Sequence, residues 1–585
     1  MQSRTRSACR RLWCFGLSGL FVTLAPALVC AQQSSPVDAD GPLQATDGPP
    51  IAVHGMVINA ASGSALPRAL VRIDGSEVLA ALTGSDGSFT IDGVPSGSHQ
   101  ISVQRPNFQE FSGAADALPF PSHSFLAAAG MAPLTLSLSP LNAIRLHLSL
   151  STGLPPSTIG VSLFRQMVLN GRHAWMEADN RQTTPAGQIR FARLSDGAYL
   201  VASRPEFGNV RARDLDCGPS APPMMPGFAA VFLPSSQDSA GAPPIHVSGG
   251  QTADASFELA PTIFYLVRVA VGHAPVADGW KFAPTLLSGS GEFLPYKLHE
   301  DKDHSLCTYL PDGAYSVALE ATRESDNVPS DSASEREARD VFGSLDFTVD
   351  GAALPGLRLA LAPSALTPIH LHYEPAPPAP PRSSGDEEEE ERGEPLDLNL
   401  DAAHRVQPLG ASAPEANAGE DGRYFLRPAV PGSYWIHAEA GQNGVCLGAV
   451  TAGGEDAASA PWIAGPSGSG PPIDVTLRTD CAQIKLQLGS GAATGGAADD
   501  SALYAYAVPL FPSLQNAASA QIQPLTQRTA EFDDLTPGPW RIFLFRSPHS
   551  LAFREPGALD ALGSGQDVTL EPGEHQTITL TGPAQ

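Results

Sequence analysis

The sequence predicts an all-β protein of five tandem antiparallel β-sandwich domains with little helix. Three features of its composition and one internal repeat support this prediction. The 585 residues include 56 Gly and 55 Pro, about 19% of the chain, against roughly 12% in average usage. Charged residues make up only 16%, too few for the exposed faces of a helical bundle. The 42% of hydrophobic residues can bury a core, which excludes a wholly disordered chain.

The internal repeat is a short pattern in which a hydrophobic residue and a Pro or Asp precede a Gly. A ring-bearing side chain follows two positions after that Gly. The five glycines are Gly97, Gly197, Gly313, Gly432 and Gly538, and the rings are His99, Tyr199, Tyr315, Tyr434 and Trp540. The intervals between the glycines are 100, 116, 119 and 106 residues, each the size of one β-sandwich of about 100 residues. Pro restricts φ and Gly permits positive φ, so each copy predicts a tight turn between two strands.

Alternating apolar segments flank each turn and also open and close each repeat. In such segments every second side chain faces a core, which is the pattern of a half-buried strand. Linkers of only a few residues separate the repeats and leave little room for free rotation. The predicted organisation is a signal peptide at 1–31, a linker at 32–50 and sandwiches at 51–139, 140–260, 261–362, 363–479 and 480–585.

The fourth predicted domain is interrupted by a Pro-rich and acidic stretch at 374–396. A run of Pro favours an extended conformation, and the five consecutive acids Glu387 to Glu391 repel one another. We therefore expect a solvated loop without fixed structure. An acidic loop that binds an ion or a partner is the alternative, but calcium loops alternate their acids around a Gly turn, and this run does not.

The N-terminus has the features of a secretory signal. Four arginines within the first 11 residues precede an apolar stretch from Leu12 to Val29, and Val29 and Ala31 stand at positions −3 and −1 of a cut after Ala31. A membrane anchor is one alternative, because about 18 apolar residues can just span a bilayer. A lipoprotein acylated at Cys30 is another, although Ala27-Leu28-Val29 fits that signal poorly. No other stretch approaches membrane length.

The charge of the mature chain limits its partners. Cleavage removes four of the 35 basic residues and leaves 61 acidic against 31 basic residues, an excess of 30 negative charges. Nucleic acid and anionic membrane surfaces are disfavoured, because phosphate binding needs clustered Lys and Arg. The predicted location is secreted, periplasmic or associated with the cell envelope, where net charge supports solubility.

Four cysteines remain after the signal: Cys217, Cys307, Cys446 and Cys481. In an oxidising compartment they are expected to form disulfides. Four cysteines allow three pairings, and the sequence does not choose among them. The nearest in chain order are Cys446 with Cys481 and Cys217 with Cys307.

Residues 51 to 110 carry the most specific local pattern. Its parts are Val53-His-Gly55-Met-Val57, Gly63-Ser-Ala-Leu66-Pro67, Thr83-Gly-Ser-Asp86-Gly87-Ser-Phe89, Val94-Pro-Ser-Gly97 and Ile101-Ser-Val103. In order and spacing this segment resembles the carboxypeptidase regulatory-like domain, a transthyretin-like (prealbumin-like) β-sandwich. The resemblance implies a noncatalytic accessory sandwich of a kind common in secreted bacterial proteins. The other repeats share only the turn and its strands, so their expected class is immunoglobulin-like or prealbumin-like.

Reactive motifs are not found. His299 and His304 are five residues apart and cannot share a helix face, which favours a charged hairpin loop. His370 and His372 share one face of a strand, but a zinc site usually needs three or four ligands, so we interpret them as a solvent-facing pair. There is no Gly-x-Ser-x-Gly elbow and no phosphate-binding motif. The sequence therefore predicts no enzyme, no cofactor and no metal.

Crosslinked pilin-type sandwiches join a Lys and an Asn near an acid. Lys485 and Glu531 can fill two of those places in the fifth repeat. The first, second and fourth repeats contain no Lys, so crosslinking is not a general design of the chain.

Tryptophans outside the core pattern are the remaining candidates for a binding site. Trp175, Trp280 and Trp462 lie outside the recurring core pattern, and such rings stack on sugars; packing between domains is the alternative for each. Trp540 stands at the inward position and is predicted to be core. The predicted function is a noncatalytic structural or interaction protein that displays its sandwiches to a protein or glycan. The alternative is a carbohydrate-binding accessory protein for polysaccharide uptake or degradation.

Overall fold

The structure is a computed structural model. It describes residues 50–74, 76, 78–110, 123–153, 156, 159–207, 221–236, 238–272, 280–292, 294–301, 304–323, 341–375, 396–403, 406–407, 416–418, 423–457, 459–489, 503–510, 521–525, 529–545, 550–563 and 565–580. These lie in one compact unit, Thr46–Gln585. The predicted signal, nearly all of the predicted linker, most of the 374–396 loop and Cys217 lie outside the described residues.

The described residues are nearly all β, and we refer to the five predicted domains as the first to fifth units. The strands of the first unit are β1 (Ile51–Asn59), β2 (Leu70–Ile73), β3 (Ala80–Leu82), β4 (Ser88–Val94), β5 (Gly97–Gln104), β6 (Phe108–Gln109), β7 (His123–Ala127) and β8 (Leu134–Pro140). Those of the second are β9 (Asn142–Leu150), β10 (Gly160–Leu169), β11 (Arg172–Gln182), β12 (Gln188–Leu194), β13 (Gly197–Ser203), β14 (Met224–Phe228), β15 (Ile245–Val247) and β16 (Thr252–Leu259).

The third unit contains β17 (Pro261–Gly272), β18 (Trp280–Ser288), β19 (His299–Glu300), β20 (Leu306–Leu310), β21 (Gly313–Arg323), β22 (Val341–Val349), β23 (Leu354–Ala360) and β24 (Ala362–Pro363). The fourth contains β25 (Thr367–Glu374), β26 (Leu396–Ala402), β27 (Val406–Gln407), β28 (Ala416–Ala418), β29 (Tyr424–Leu426), β30 (Gly432–Ala440), β31 (Cys446–Ala452), β32 (Glu455–Asp456), β33 (Trp462–Ala464) and β34 (Ile473–Arg478). The fifth contains β35 (Ala482–Leu488), β36 (Tyr504–Pro509), β37 (Gln521–Pro524), β38 (Thr529–Leu535), β39 (Gly538–Phe545), the short helix α1 (Ala558–Ala561), β40 (Gln566–Leu570) and β41 (His575–Leu580).

All five units repeat one pairing scheme. The opening strand of each unit pairs antiparallel with the strand before the Gly turn and parallel with the closing strand, as β1 does with β4 and β8. The same holds for β9, β17, β25 and β35. The strand after the turn belongs to a second sheet, in which β5, β13, β21, β30 and β39 pair antiparallel with β2, β10, β18, β26 and β36. The predicted turn is therefore a corner that carries the chain from one sheet to the other.

The corner depends on the glycine and on the side chain two residues later. The five glycines have φ of 141°, 151°, 158°, 150° and 139° in chain order, a region that L side chains rarely adopt. The ring at the second position donates a hydrogen bond to the carbonyl four residues before it in every unit. The bonds are His99 Nε2 to Pro95 (2.8 Å), Tyr199 Oη to Ser195 (2.8 Å), Tyr315 Oη to Pro311 (2.9 Å), Tyr434 Oη to Val430 (2.6 Å) and Trp540 Nε1 to Thr536 (2.8 Å).

This bond explains the residue types at the second position. His, Tyr and Trp each combine a ring that packs inward with a polar tip, as buried Tyr and Trp commonly do. The tip satisfies a carbonyl of the corner, which Phe cannot do. The sequence predicted the inward ring, and Trp540 is indeed buried at 1% exposure. The N–H or O–H group that these three residue types share is the feature of the sequence that indicates the hydrogen bond at the corner.

We expect Tyr199→Phe to loosen the second unit without changing its fold. The substitution keeps the ring but takes a donor from the carbonyl of buried Ser195, at a cost of about 1–3 kcal/mol. Hydrogen exchange of the full chain should show about tenfold faster exchange in the peptides of β12 and β13. Tyr373→Phe, away from any corner, is the control, and equal effects of the two changes would show that the corner bond contributes nothing.

Each unit has its own hydrophobic cluster. These clusters include Val57 in the first unit, Phe191 in the second, Tyr309 in the third, Val475 in the fourth and Phe532 in the fifth. A further cluster lies on the outer face of the fifth unit, where Tyr506 and Phe543 pack with Leu551, Phe553 and Leu559. This outer cluster holds the segment 551–562 against the sheet, and that segment takes part in the site described below.

One strand crosses a predicted boundary. β14 belongs by sequence to the second unit but pairs antiparallel with β17 of the third. Phe207, also from the second unit, packs in the third cluster with Phe264 at a ring-centroid distance of 4.9 Å. The second and third units therefore share a continuous packed region around residue 225, on both sides of the predicted division at 260 and 261.

The structure pairs Cys446 with Cys481, whose Cα atoms are 5.8 Å apart. This disulfide joins β31 of the fourth unit to the residue just before β35 of the fifth. Cys307 is also disulfide-bonded. The sequence alone allows three pairings of the four cysteines. The observed Cys446–Cys481 bond joins two cysteines that are neighbours in chain order.

Candidate functional site

The three candidate tryptophans lie in different environments. Trp175 is half-buried on β11 and lines a cavity of about 390 Å³. Trp280, also half-buried, packs against the third cluster and does not line that cavity. Trp462 is 2% exposed in the fourth cluster, and its indole donates to the Pro471 carbonyl at 3.0 Å. A buried ring cannot stack on a ligand, so the expectation for Trp462 is corrected to a core role.

The cavity lies where the second, fourth and fifth units meet. The side chains that give it its chemistry are Arg172, His173, Trp175, Trp435, His437 and Arg554. Its volume lies at the lower end of the roughly 300–1,000 Å³ of small-molecule sites. The second unit does not adjoin the fourth or fifth in the chain. Short linkers between consecutive units therefore do not predict that these three units are in contact.

The second unit contributes the tip of the hairpin β10–β11. Asn170 and Gly171 are the two turn residues between the paired Leu169 and Arg172. Their φ angles are 47° and 77°, as a type I′ turn requires, and Asn-Gly is the commonest sequence for that turn. This dipeptide is a local signal in the sequence for the hairpin.

The hairpin tip is clamped onto the fifth unit. The backbone N–H of His173 donates to Glu555 Oε1 at 2.7 Å, and the ring Nδ1 lies 2.7 Å from Oε2 of the same carboxylate. The N–H of Arg554 donates to the Gly171 carbonyl at 3.0 Å. A Cβ on Gly171 would lie 2.6 Å from Cε1 of Phe553, so only glycine fits this contact. We call these contacts the hairpin clamp.

The same hairpin is joined to the fourth unit. β27 pairs in parallel with β11, opposing Val406 to Trp175, and so extends the second sheet of the second unit. The Asn170 amide donates to Asp401 on β26. No local pattern in the sequence predicts these contacts, because each involves residues more than 200 positions apart.

Stacking and charge define the inner surface of the cavity. The Arg172 guanidinium lies 3.7 Å from the ring centroid of Trp435, a close cation–π distance. Burial lowers the pKa of Arg172, and the Glu555 carboxylate opposes this effect. The pKa of Arg554 is lowered to about 10, chiefly by burial and then by the positive charge of Arg172, and the Asp456 carboxylate opposes both effects. Because Arg172 covers one face of Trp435, the site offers the Trp175 ring for stacking and guanidinium donors for oxygen atoms.

The other motifs from the sequence do not assemble a reaction centre in the described residues. His304 lies on a loop beside Glu300, with Nδ1 at 2.7 Å from the carboxylate. His370 and His372 project from one exposed face of β25 and lie 3.0 and 3.6 Å from Asp474. Among the residues that the structure describes, no group of three or more His, Cys, Asp or Glu could hold a metal ion.

Lys485 and Glu531 face each other on neighbouring strands. Their N–O distance is 2.5 Å, and both side chains are about half exposed. The arrangement is an ordinary surface ion pair of a sheet.

Comparison with known proteins adds one family match. Residues 52–117 match the model of the carboxypeptidase regulatory-like domain. The first unit contains such a domain. The match confirms the resemblance drawn from residues 51 to 110 and covers only this part of the chain. No curated protein matches the sequence.

Three solved structures illustrate the remote similarity of this chain to known folds. They include the Bacillus anthracis TIE protein, with 10% identity and a TM-score of 0.16, covering 53% of this chain and 50% of that one. The minor pilin GBS52 of Streptococcus agalactiae shows 13% identity and a TM-score of 0.17, covering 36% and 95%. A streptococcal ancillary pilin shows 10% identity and a TM-score of 0.17, and the match covers 54% of this chain and 100% of that one. This chain spans about half the length of the Bacillus protein, and scores this low carry no argument about function.

The described residues contain no helix that is both long and apolar enough to cross a membrane.

Proposed function

We propose that the protein is a noncatalytic structural and interaction protein of the cell envelope or the secreted fraction, built of five sandwich domains with the boundaries predicted above. The observation that carries this proposal is the hairpin clamp together with the pairing of β11 and β27. These contacts hold the second, fourth and fifth units in one arrangement. A fixed arrangement of sandwiches presents the same loops and faces to every partner, which suits a display protein.

Two assays test this function. Cells that express the full chain should export it and cut it after Ala31, whereas a chain without residues 1–31 should stay inside. The purified chain should release no product from a panel of polysaccharides and peptides, with or without zinc. Zinc-dependent hydrolysis that disappears in His370→Ala would overturn the proposal, and so would retention of the uncut full chain in the cytoplasm.

A second candidate function is carbohydrate binding. The specific observation in its favour is that Trp175 and Trp435, from different units, line one cavity. Tryptophan rings offer large flat faces with polar edges, and polar groups beside them can bind sugar hydroxyls. In a glycan panel we expect binding that Trp175→Ala abolishes and that Trp280→Ala, outside the cavity, preserves. Silence of the whole panel would remove this candidate and leave the first one standing.

A further inference from the structure

We propose that the cavity between the second, fourth and fifth units binds the carboxylate of an acidic sugar, with the sugar ring against Trp175. This inference rests on the second candidate function and adds the class of glycan and the groups that select it. It follows from three properties of the cavity: the rings that line it, the guanidinium groups of its arginines, and the hydrogen bonds by which its carboxylates hold the hairpin tip.

The rings come first. Trp175 and Trp435 line the cavity from two different strands, and His437 lies on the same strand as Trp435, two residues on. Alternate residues of a strand share a face, so Trp435 and His437 lie side by side. A flat, partly apolar ligand such as a pyranose ring fits this wall better than a linear anion does.

The guanidiniums come next. Arg172 and Arg554 both line the cavity in a chain whose formal net charge is −26. Arg172 is already oriented, because its guanidinium stacks on Trp435 and donates to the Arg554 carbonyl at 3.3 Å. An oriented guanidinium is the preferred partner of a carboxylate. Burial and mutual repulsion lower the pKa of Arg554, and a bound anion would offset that repulsion.

The two lining carboxylates are engaged by neighbours. Glu555 accepts from the backbone and ring of His173, and Asp401 accepts from the Asn170 amide. Both carboxylates therefore hold the hairpin tip, and the charge of Glu555 also acts on Arg172. The Arg172 guanidinium meets the ring wall at Trp435. A neutral sugar would contact only the wall of rings. An acidic sugar would contact this wall and also bind the guanidinium groups through its carboxylate.

The test is titration calorimetry of the full chain with two glycans of equal length, a galacturonic acid oligomer and a neutral galactose oligomer. We expect the acidic oligomer to bind at least tenfold more tightly, and the difference to shrink as salt is added. Arg172→Gln should erase the difference, Arg172→Lys should keep part of it, and Trp175→Ala should weaken both ligands. Arg145→Gln, an exposed arginine paired with Asp254, is the control for a general loss of positive charge.

The outcomes separate this inference from the function beneath it. Equal binding of both oligomers overturns the inference and leaves carbohydrate binding in place. If neither oligomer binds but another neutral glycan of the panel binds through Trp175, the inference is likewise overturned and carbohydrate binding stays in place. Tight acidic binding that survives both Arg172→Gln and Trp175→Ala places the site elsewhere and also overturns it. Hydrogen exchange of each variant shows whether the hairpin clamp is intact. If Arg172→Gln opens the clamp, Arg172→Lys provides the comparison in its place.

Discussion

Gly171→Val is expected to release the hairpin of the second unit from the fifth unit while leaving both sandwiches folded. The residue has φ of 77°, and an added Cβ would lie 2.6 Å from Phe553. A β-branched side chain at positive φ is strained, and overpacking against the ring adds about 1–3 kcal/mol. Separation of the surfaces relieves the contact with Phe553, so the hairpin clamp should open. Exchange of the peptides over 550–563 should become about a hundredfold faster.

A second glycine isolates the cause. Gly153 also has positive φ, 72°, but nothing lies within 4 Å of its Cβ position. Gly153→Val therefore carries the backbone strain without the collision, and it should leave the exchange over 550–563 unchanged. Adding Phe553→Ala to Gly171→Val should restore part of the protection by making room. Full protection in Gly171→Val alone would mean that the second and fifth units do not meet at this point.

Much of the fold was predictable because it is local. A glycine that permits positive φ, an apolar residue before it and a ring after it act within a few residues of one another. Period-two alternation then assigns faces to the flanking strands. The same locality explains why Trp540 was correctly placed in the core. The direction of the corner, from sheet to sheet, was not predictable, because it depends on which strand becomes the neighbour.

The candidate site was not predictable, because it is formed by contacts between distant segments. Trp175 is a candidate because it stands outside the repeated pattern, but nothing near it in the sequence indicates Trp435 or Arg554 as neighbours. Trp462 stood outside the pattern for a different reason: β33 is an edge strand of the second sheet in the fourth unit, beside Tyr434. A tryptophan that stands outside the repeat can therefore either line the cavity, as Trp175 does, or belong to the core, as Trp462 does. Only the three-dimensional arrangement separates the two.

Replacing Cys446 and Cys481 together with serine is expected to destabilise the fourth unit and its junction with the fifth. The disulfide closes a loop with a sequence separation of 35, and chain-entropy arguments give about 3–4 kcal/mol for a loop of this size. Cys446 is also buried at 2% exposure, so a serine there places a hydroxyl in an apolar site. Calorimetry of the full chain should show the transition of the fourth unit moved to lower temperature, with the first unit unaffected.

The junction offers a control that separates the covalent bond from its noncovalent neighbours. Thr536 of the fifth unit donates its hydroxyl to the Leu447 carbonyl, one residue from the disulfide. Thr536→Val removes that bond and keeps the disulfide, and it should cost about 1 kcal/mol. If the serine double variant costs no more than Thr536→Val, packing alone holds the junction. A larger cost in the double variant assigns the stability of the junction to the closed loop when replacement of both cysteines with alanine, which buries no hydroxyl at position 446, costs as much.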